Sequence, residues 1–227
     1  MDATRIRELL KQVSIFSNID DEALGRLANL VQVRDVGKDS LIFGQDDRGD
    51  AMFIIASGRV KVVLYGENGK EITLTFFAEG DFFGEMSLVD DMPRSANVIS
   101  AEPSTLVILK RSDFVDHLKE SPATAINVMA ELSRRLRKAD EIIGNLALLD
   151  VYGRVARLLM DLAEKDGEQT EEGTLIRKRP TQQDLASMAN TSRETVSRVL
   201  NDFQKRGLLA MDGKQVILRP LFFHEVG

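Results

Sequence analysis

The chain has 227 residues, 43% of them hydrophobic and 29% charged, with a formal net charge of −6, two histidines and no cysteine. The missing cysteines exclude disulfides, thiolate catalysis, Cys-ligated zinc and Cys-ligated iron–sulfur clusters. His117 and His224 stand 107 positions apart in no ligand-spaced cluster, so no metal is expected, a cupin-type enzyme lacks its ligands, and the chain is read as a non-enzyme. No run of 18 apolar residues and no apolar segment behind a basic start occurs; neither a membrane span nor a secretory signal is expected, and the location is read as cytoplasmic.

Residues 3–13 predict a helix with Leu9, Leu10 and Val13 on one side, and a second helix follows an Asp20 N-cap through Leu24, Leu27 and Val31. Residues 32–110 change to short apolar runs punctuated by glycine, at 41–43, 52–56, 60–65, 72–77, 97–100 and 106–109. That grammar predicts an all-β unit of about eight strands, rolled or jelly-rolled into a barrel. Asn68-Gly69 predicts a two-residue type I′ turn, because both residue types tolerate positive φ.

One piece of the barrel is not strand-like. In residues 80–88 an apolar strand end meets Gly84 and then a short helix-favouring run, and Arg94 and Ser95 follow. A helical turn opened by glycine offers free backbone N–H groups, Arg94 a forked cation and Ser95 a hydroxyl, which together suit a phosphate. Glu85, acceptor-only when ionised, suits a sugar hydroxyl. The same residues also fit a purely structural glycine turn.

Residues 122–150 carry the longest helical pattern, with Pro122 suited to the first turn and Ser121 to the N-cap. Ile126, Met129, Leu132, Leu136, Ala139, Ile143, Leu146 and Leu149 recur every three or four residues, between flanks of Arg134, Arg135, Arg137, Lys138, Asp140 and Glu141. At 1.5 Å per residue the helix is roughly 40 Å long. A narrow seam with charged flanks predicts a parallel dimer interface; the alternative is a surface helix packed on its own domain.

After a boundary at residues 150–153, residues 151–162 continue helically, 166–173 read as a polar loop and 175–179 as a strand. Thr181 with Asp184 forms a capping box for a helix packed through Leu185, Ala186 and Met188. A tight turn near Asn190 leads to a second helix capped by Ser192, which buries Val196, Val199, Leu200 and Phe203 and presents Arg193, Glu194, Ser197 and Arg198. Residues 207–218 read as a two-stranded hairpin, completing a winged helix-turn-helix. Arginine pairs with guanine and glutamate with the cytosine amino group, so the exposed face suits the major groove; a solvated charged face is the alternative. Charge follows the same division: residues 1–150 carry 25 acidic and 18 basic side chains, whereas residues 176–219 carry nine basic and four acidic.

The ordered motifs Gly84-Glu85 with Arg94-Ser95-Ala96, Gly144 to Val151, and Ser192-Arg193-Glu194-Thr195-Val196-Ser197-Arg198 resemble the superfamily of the cyclic AMP receptor protein and the fumarate and nitrate reduction regulator. The resemblance spans nearly the whole chain. It implies an α+β architecture with a cyclic-nucleotide-binding β-roll over residues 1–121, a dimerisation helix and hinge over 122–150 and a winged helix-turn-helix over 151–227. It implies a homodimeric transcription regulator controlled by a cyclic nucleotide, with double-stranded DNA and RNA polymerase as partners. Gly84 and Glu85 would hold the ribose side and Arg94 and Ser95 the phosphate. DNA contacts would come from Thr181, Ser192, Arg193, Glu194, Thr195 and Arg198, reading a palindrome similar to TGTGA and its inverted repeat; this docking geometry is that of the catabolite activator, a standard example of the mode.

The chain departs from the cyclic AMP receptor at the base. A Thr-Ser pair that meets adenine there is replaced by Ala139 and Asp140. Ala139 has no hydroxyl; a carboxylate at Asp140 can still accept from the adenine amino group of cyclic AMP, but it better matches the paired N1–H and N2–H₂ donors of guanine, which suggests cyclic GMP or cyclic di-GMP; a surface pair between Asp140 and Arg137 is the alternative. A ligand-independent branch of the superfamily is a further alternative.

Overall fold

The computed structural model describes residues 1–225. The chain forms two compact units, Met1–Arg137 and Lys138–Gly227.

In the first unit, α1 (Ala3–Gln12) and α2 (Asp21–Leu30) are each started by an aspartate: Asp2 accepts from the Arg5 N–H at 2.8 Å and Asp20 from that of Ala23 at 2.7 Å. Eight strands follow: β1 (Gln32–Val36), β2 (Leu41–Phe43), β3 (Ala51–Ser57), β4 (Arg59–Tyr65), β5 (Glu71–Ala78), β6 (Phe82–Phe83), β7 (Asn97–Ser100) and β8 (Ser104–Lys110). They pair antiparallel as two four-stranded sheets, ordered β1-β8-β3-β6 and β2-β7-β4-β5. Strand β3 shows why the roll closes. Its side chains alternate, so Met52 and Ile54 join Leu10, Leu24 and Leu27 on one face while Phe53 and Ile55 join Val60, Phe83 and Val98 on the other. Each such side chain contributes about 1.5–3 kcal/mol on full burial.

The Asn68-Gly69 turn differs from expectation. Gly69 has φ +75° but Asn68 is not left-handed. The Gly66 carbonyl accepts from the Gly69 N–H at 2.8 Å, and the Gly66 N–H donates to the Lys70 carbonyl at 2.9 Å. This is a longer loop with one left-handed glycine, which the Asn-Gly pair alone does not distinguish from a type I′ turn.

Beyond β6 lie α3 (Met86–Asp90), α4 (Arg111–Glu120) and the long α5 (Pro122–Leu148), two residues shorter than expected because Asp150 N-caps the next helix. The Ser121 hydroxyl accepts from the Thr124 N–H at 3.4 Å, as its N-cap position predicts. Thr124 and Val128 are the buried face of α5, and Leu132 also packs on the core of its own unit rather than standing free in the seam. The seam residues Ile126, Met129, Leu136 and Ile143 are 60%, 59%, 64% and 63% exposed. One face of α5 therefore packs on its own unit, as in the surface-helix reading, and these four seam residues are left exposed.

The second unit holds α6 (Val151–Asp166), β9 (Gly167–Thr170), β10 (Gly173–Ile176), α7 (Gln182–Met188), α8 (Arg193–Lys205), β11 (Leu209–Asp212), β12 (Gln215–Leu218) and α9 (Pro220–Glu225). The polar stretch read as a loop is β9, and the strand expected at 175–179 starts and ends earlier as β10. The wing is accordingly part of a four-stranded sheet, β11-β12-β10-β9, rather than an isolated hairpin. Backbone pairing carries β9, whose side chains past Gly167 are exposed and show no apolar alternation. Val155, Leu159, Leu185, Val196, Leu200 and Phe203 form the core that joins helices to sheet.

Candidate nucleotide-binding and DNA-binding sites

In the first unit, Gly84 follows β6 with φ +81°, and a Cβ there would lie 2.8 Å from Arg94 Nη1. Only glycine allows both the backbone turn and the close approach. Glu85, the next residue, is 1% exposed. Its Oε1 accepts from Arg135 Nη1 at 2.8 Å, while Oε2 has no hydrogen-bond partner among the described residues. Burial pushes the Glu85 carboxyl above the usual carboxylate range, and the Arg135 cation opposes that shift.

Arg94 is 4% exposed. Its Nη1 donates to the Gly84 carbonyl and its Nη2 to the Ala51 carbonyl, each at 2.5 Å, and the guanidinium lies 4.2 Å from the centroid of the Phe43 ring. Its Nε is buried without a partner. Burial lowers the Arg94 pKa, against the attraction of Asp50, Glu85 and Asp47. Part of the fork expected to be free for phosphate is thus engaged by backbone, because the glycine turn directs the Gly84 carbonyl at it. Ser95, beside it, is exposed. The structure brings Gly84, Glu85 and Arg94 together. Ala139 and Asp140 are exposed on α5 in the other compact unit, and Asp140 forms no pair with Arg137 among the described residues.

Two residues of this neighbourhood escaped the sequence reading. Arg135 stands among the charged flanks of the seam, yet its guanidinium lies over the Phe77 and Phe82 rings, 4.8 and 4.6 Å from their centroids. It also donates to the Phe82 carbonyl at 2.8 Å and to Glu131 at 3.1 Å. A lone arginine in a charged helix carries no signal for this. Gly49 reads as a turn glycine, but a Cβ there would meet Ser87 Cβ at 2.3 Å and Arg94 Cζ at 3.1 Å.

In the second unit the capping box forms as expected: Thr181 Oγ1 accepts from the Asp184 N–H at 3.1 Å and Asp184 returns the bond to the Thr181 N–H at 3.1 Å. Asn190, at φ +50°, makes the turn into α8. Ser192 accepts from the Thr195 N–H at 3.2 Å, and Arg198 Nη2 donates to the Thr195 hydroxyl at 3.1 Å. Arg193, Glu194 and Arg198 are exposed on the first two turns of α8, while Val196, Val199, Leu200 and Phe203 are buried behind them. The Glu194 backbone N–H and the Ser192 hydroxyl hold the Glu194 carboxyl below the usual range, so it presents an acceptor at neutral pH. The polar N-terminal end of α8 has the form of a major-groove reading head.

A glycine turn beside a buried acid and a buried arginine, in a chain that also carries a winged helix-turn-helix, places the fold in a DNA-binding class of protein. Residues 33–121 match the cyclic nucleotide-binding domain family and residues 153–221 the Crp-like helix-turn-helix domain. The chain is 31% identical over 211 residues to the CRP-like cAMP-activated global transcriptional regulator of Mycobacterium tuberculosis, covering 93% of this chain and 94% of that one. It is 34% identical over 210 residues to the cyclic AMP receptor protein of Thermus thermophilus, covering 92% and 94%. A solved structure of the c-di-GMP responsive global regulator CLP of Xanthomonas campestris is similar at a TM-score of 0.74 and 26% identity, over 88% of this chain and 99% of that one. The chain belongs to the CRP/FNR superfamily of DNA-binding transcription regulators. No described helix is long and apolar enough to cross a membrane.

Proposed function

We propose that the chain acts as a homodimer whose DNA affinity is set by a cyclic nucleotide. Residues 1–121 are read as the ligand domain, 122–150 as the dimerisation helix and hinge, and 151–227 as the DNA-binding domain. The observation that carries the ligand reading is the pair of orphaned buried atoms beside Gly84, Glu85 Oε2 and Arg94 Nε, one an acceptor and one a cationic donor. Buried polar atoms are rarely left unpaired, and a sugar hydroxyl with a phosphate supplies their complements. The exposed seam of Ile126, Met129, Leu136 and Ile143 supports the homodimer. RNA polymerase is the partner the family suggests.

The base is read as guanine, at Ala139 and Asp140, in cyclic GMP or cyclic di-GMP; relatives described as responding to cAMP and to c-di-GMP bracket the choice. Calorimetry with cyclic AMP, cyclic GMP and cyclic di-GMP tests it. Tightest binding by a guanine ligand is expected, and equal or tighter binding of cyclic AMP overturns the base assignment. A second reading, regulation without ligand, draws on the bonds that already engage Arg94 with the Gly84 and Ala51 carbonyls. Heat evolved with any of the three nucleotides rejects it.

A further inference from the structure

Arg179 lies between β10 and the N-cap of α7, and two of its bonds go to the wing. Its backbone N–H donates to the Lys214 carbonyl at 3.1 Å, and its Nη2 donates to the Gly213 carbonyl at 3.2 Å. Its Nη1 donates to the Pro180 carbonyl at 3.0 Å, next to Thr181. Gly213, at φ +56°, is the turn between β11 and β12, and Lys214 beside it is exposed. One guanidinium thus joins the tip of the wing to the entry of the helix-turn-helix.

Its electrostatic setting is unlike that of Arg177 and Arg206 in the same unit. Arg177 is paired with Glu168 and Arg206 with Asp202 and Glu225, whereas Arg179 is paired with no carboxylate among the described residues and its Nε is buried without a partner. Burial, with no facing acid, lowers its pKa. A cation held this way costs stability, and the fold retains it where one of its carbonyl bonds, from Nη2 to Gly213, holds the wing turn. Donors spent on carbonyls are not available to a phosphate, while the Lys214 ammonium is.

We propose that Arg179 is a positioning residue for DNA binding: it clamps the wing turn so that Lys214 reaches a backbone phosphate, and it does not itself touch the nucleic acid. The inference rests on the DNA-binding reading of this unit. It separates two roles that a basic patch usually merges.

The test is a double-mutant cycle in the full-length protein on an inverted-repeat duplex, with affinity measured by fluorescence anisotropy across a range of salt concentrations. Each lost phosphate contact lowers the log–log salt slope by about 0.9. Lys214→Ala is expected to lower the slope by that amount per half-site. Arg179→Ala is expected to lower it equally, and Arg179→Ala with Lys214→Ala no further. Arg179→Lys, which keeps the charge and loses the fork, is expected to behave as Arg179→Ala; this variant also serves if Arg179→Ala fails to fold. Additive slope losses, wild-type behaviour of Arg179→Lys, or an unchanged slope in Lys214→Ala overturns the proposal. Absence of DNA binding by the wild-type protein would strike instead at the regulator reading.

Discussion

Arg135 donates to Glu85 across 2.8 Å, and the same guanidinium reaches the Phe82 carbonyl at 2.8 Å. The acid proposed to hold the ligand sugar is therefore tied to α5, the helix that also carries the exposed seam. A ligand that draws on Glu85 competes with, or reinforces, a bond to the helix proposed to form the dimer. That is a physical route for differential affinity between two arrangements, which ligand control requires.

Removing Arg135 leaves Glu85 as a buried carboxylate without a counter-charge. Breaking such a pair costs about 3 kcal/mol, taken at the lower end because solvent reaches the Arg135 side chain, 24% exposed. Urea unfolding of Arg135→Ala is expected to show this loss, and Arg135→Ala with Glu85→Gln to recover most of it. An unchanged midpoint in the single variant would remove the pair from the account.

Glu85 also sets a pH dependence. Its carboxyl is raised above 4.5 in the fold by burial, so the folded state binds its proton more tightly than the unfolded chain does. The contribution to stability is complete below 4.5 and is lost as pH rises through the folded value. Glu85→Gln is thus expected to raise the thermal midpoint of the unliganded protein at neutral pH while weakening nucleotide binding roughly tenfold, because the sugar hydroxyl then meets a neutral acceptor in place of a charged one. Parallel thermal melts and calorimetry check both halves, and a lower midpoint contradicts the sign.

Much of this was legible in the residues. Alternating apolar runs between glycines gave the strands, and Asp20, Ser121, Thr181 and Ser192 marked helix starts that the capping bonds bear out. Strand β9 was not legible, because backbone pairing to β10 holds it without an apolar face. At the Gly84 turn, Gly84, Glu85 and Arg94 could be picked out from glycine and charge, but the carbonyl bonds of Arg94 could not. Nor could Arg135, whose position among charged helix residues reads as solvated and whose surroundings of Phe77 and Phe82 come from another part of the chain.

The seam on α5 gives a third expectation. Leu136 is 64% exposed in the single chain, so Leu136→Glu costs the monomer little and places a carboxylate in the proposed interface. Sedimentation is expected to show dimer affinity weakened roughly tenfold or more, since an unpaired charge resists desolvation. An unaltered dimer would move the interface elsewhere.

On the proposed DNA-reading face, Glu194 is an exposed acceptor on the first turn of α8. Glu194→Ala is expected to lower discrimination at one base position roughly tenfold and leave the salt slope unchanged, because a base-edge contact carries no phosphate. Selection from a randomised half-site measures this directly. Undiminished preference at every position would exclude readout by Glu194.

The claim that a nucleotide governs DNA binding is tested most directly by titrating the full-length protein onto one inverted-repeat duplex without nucleotide and with saturating cyclic AMP, cyclic GMP or cyclic di-GMP. The account predicts that at least one nucleotide changes the affinity by about fivefold or more, the lower bound of ordinary coupling between sites. Affinity that stays the same under all four conditions would contradict it.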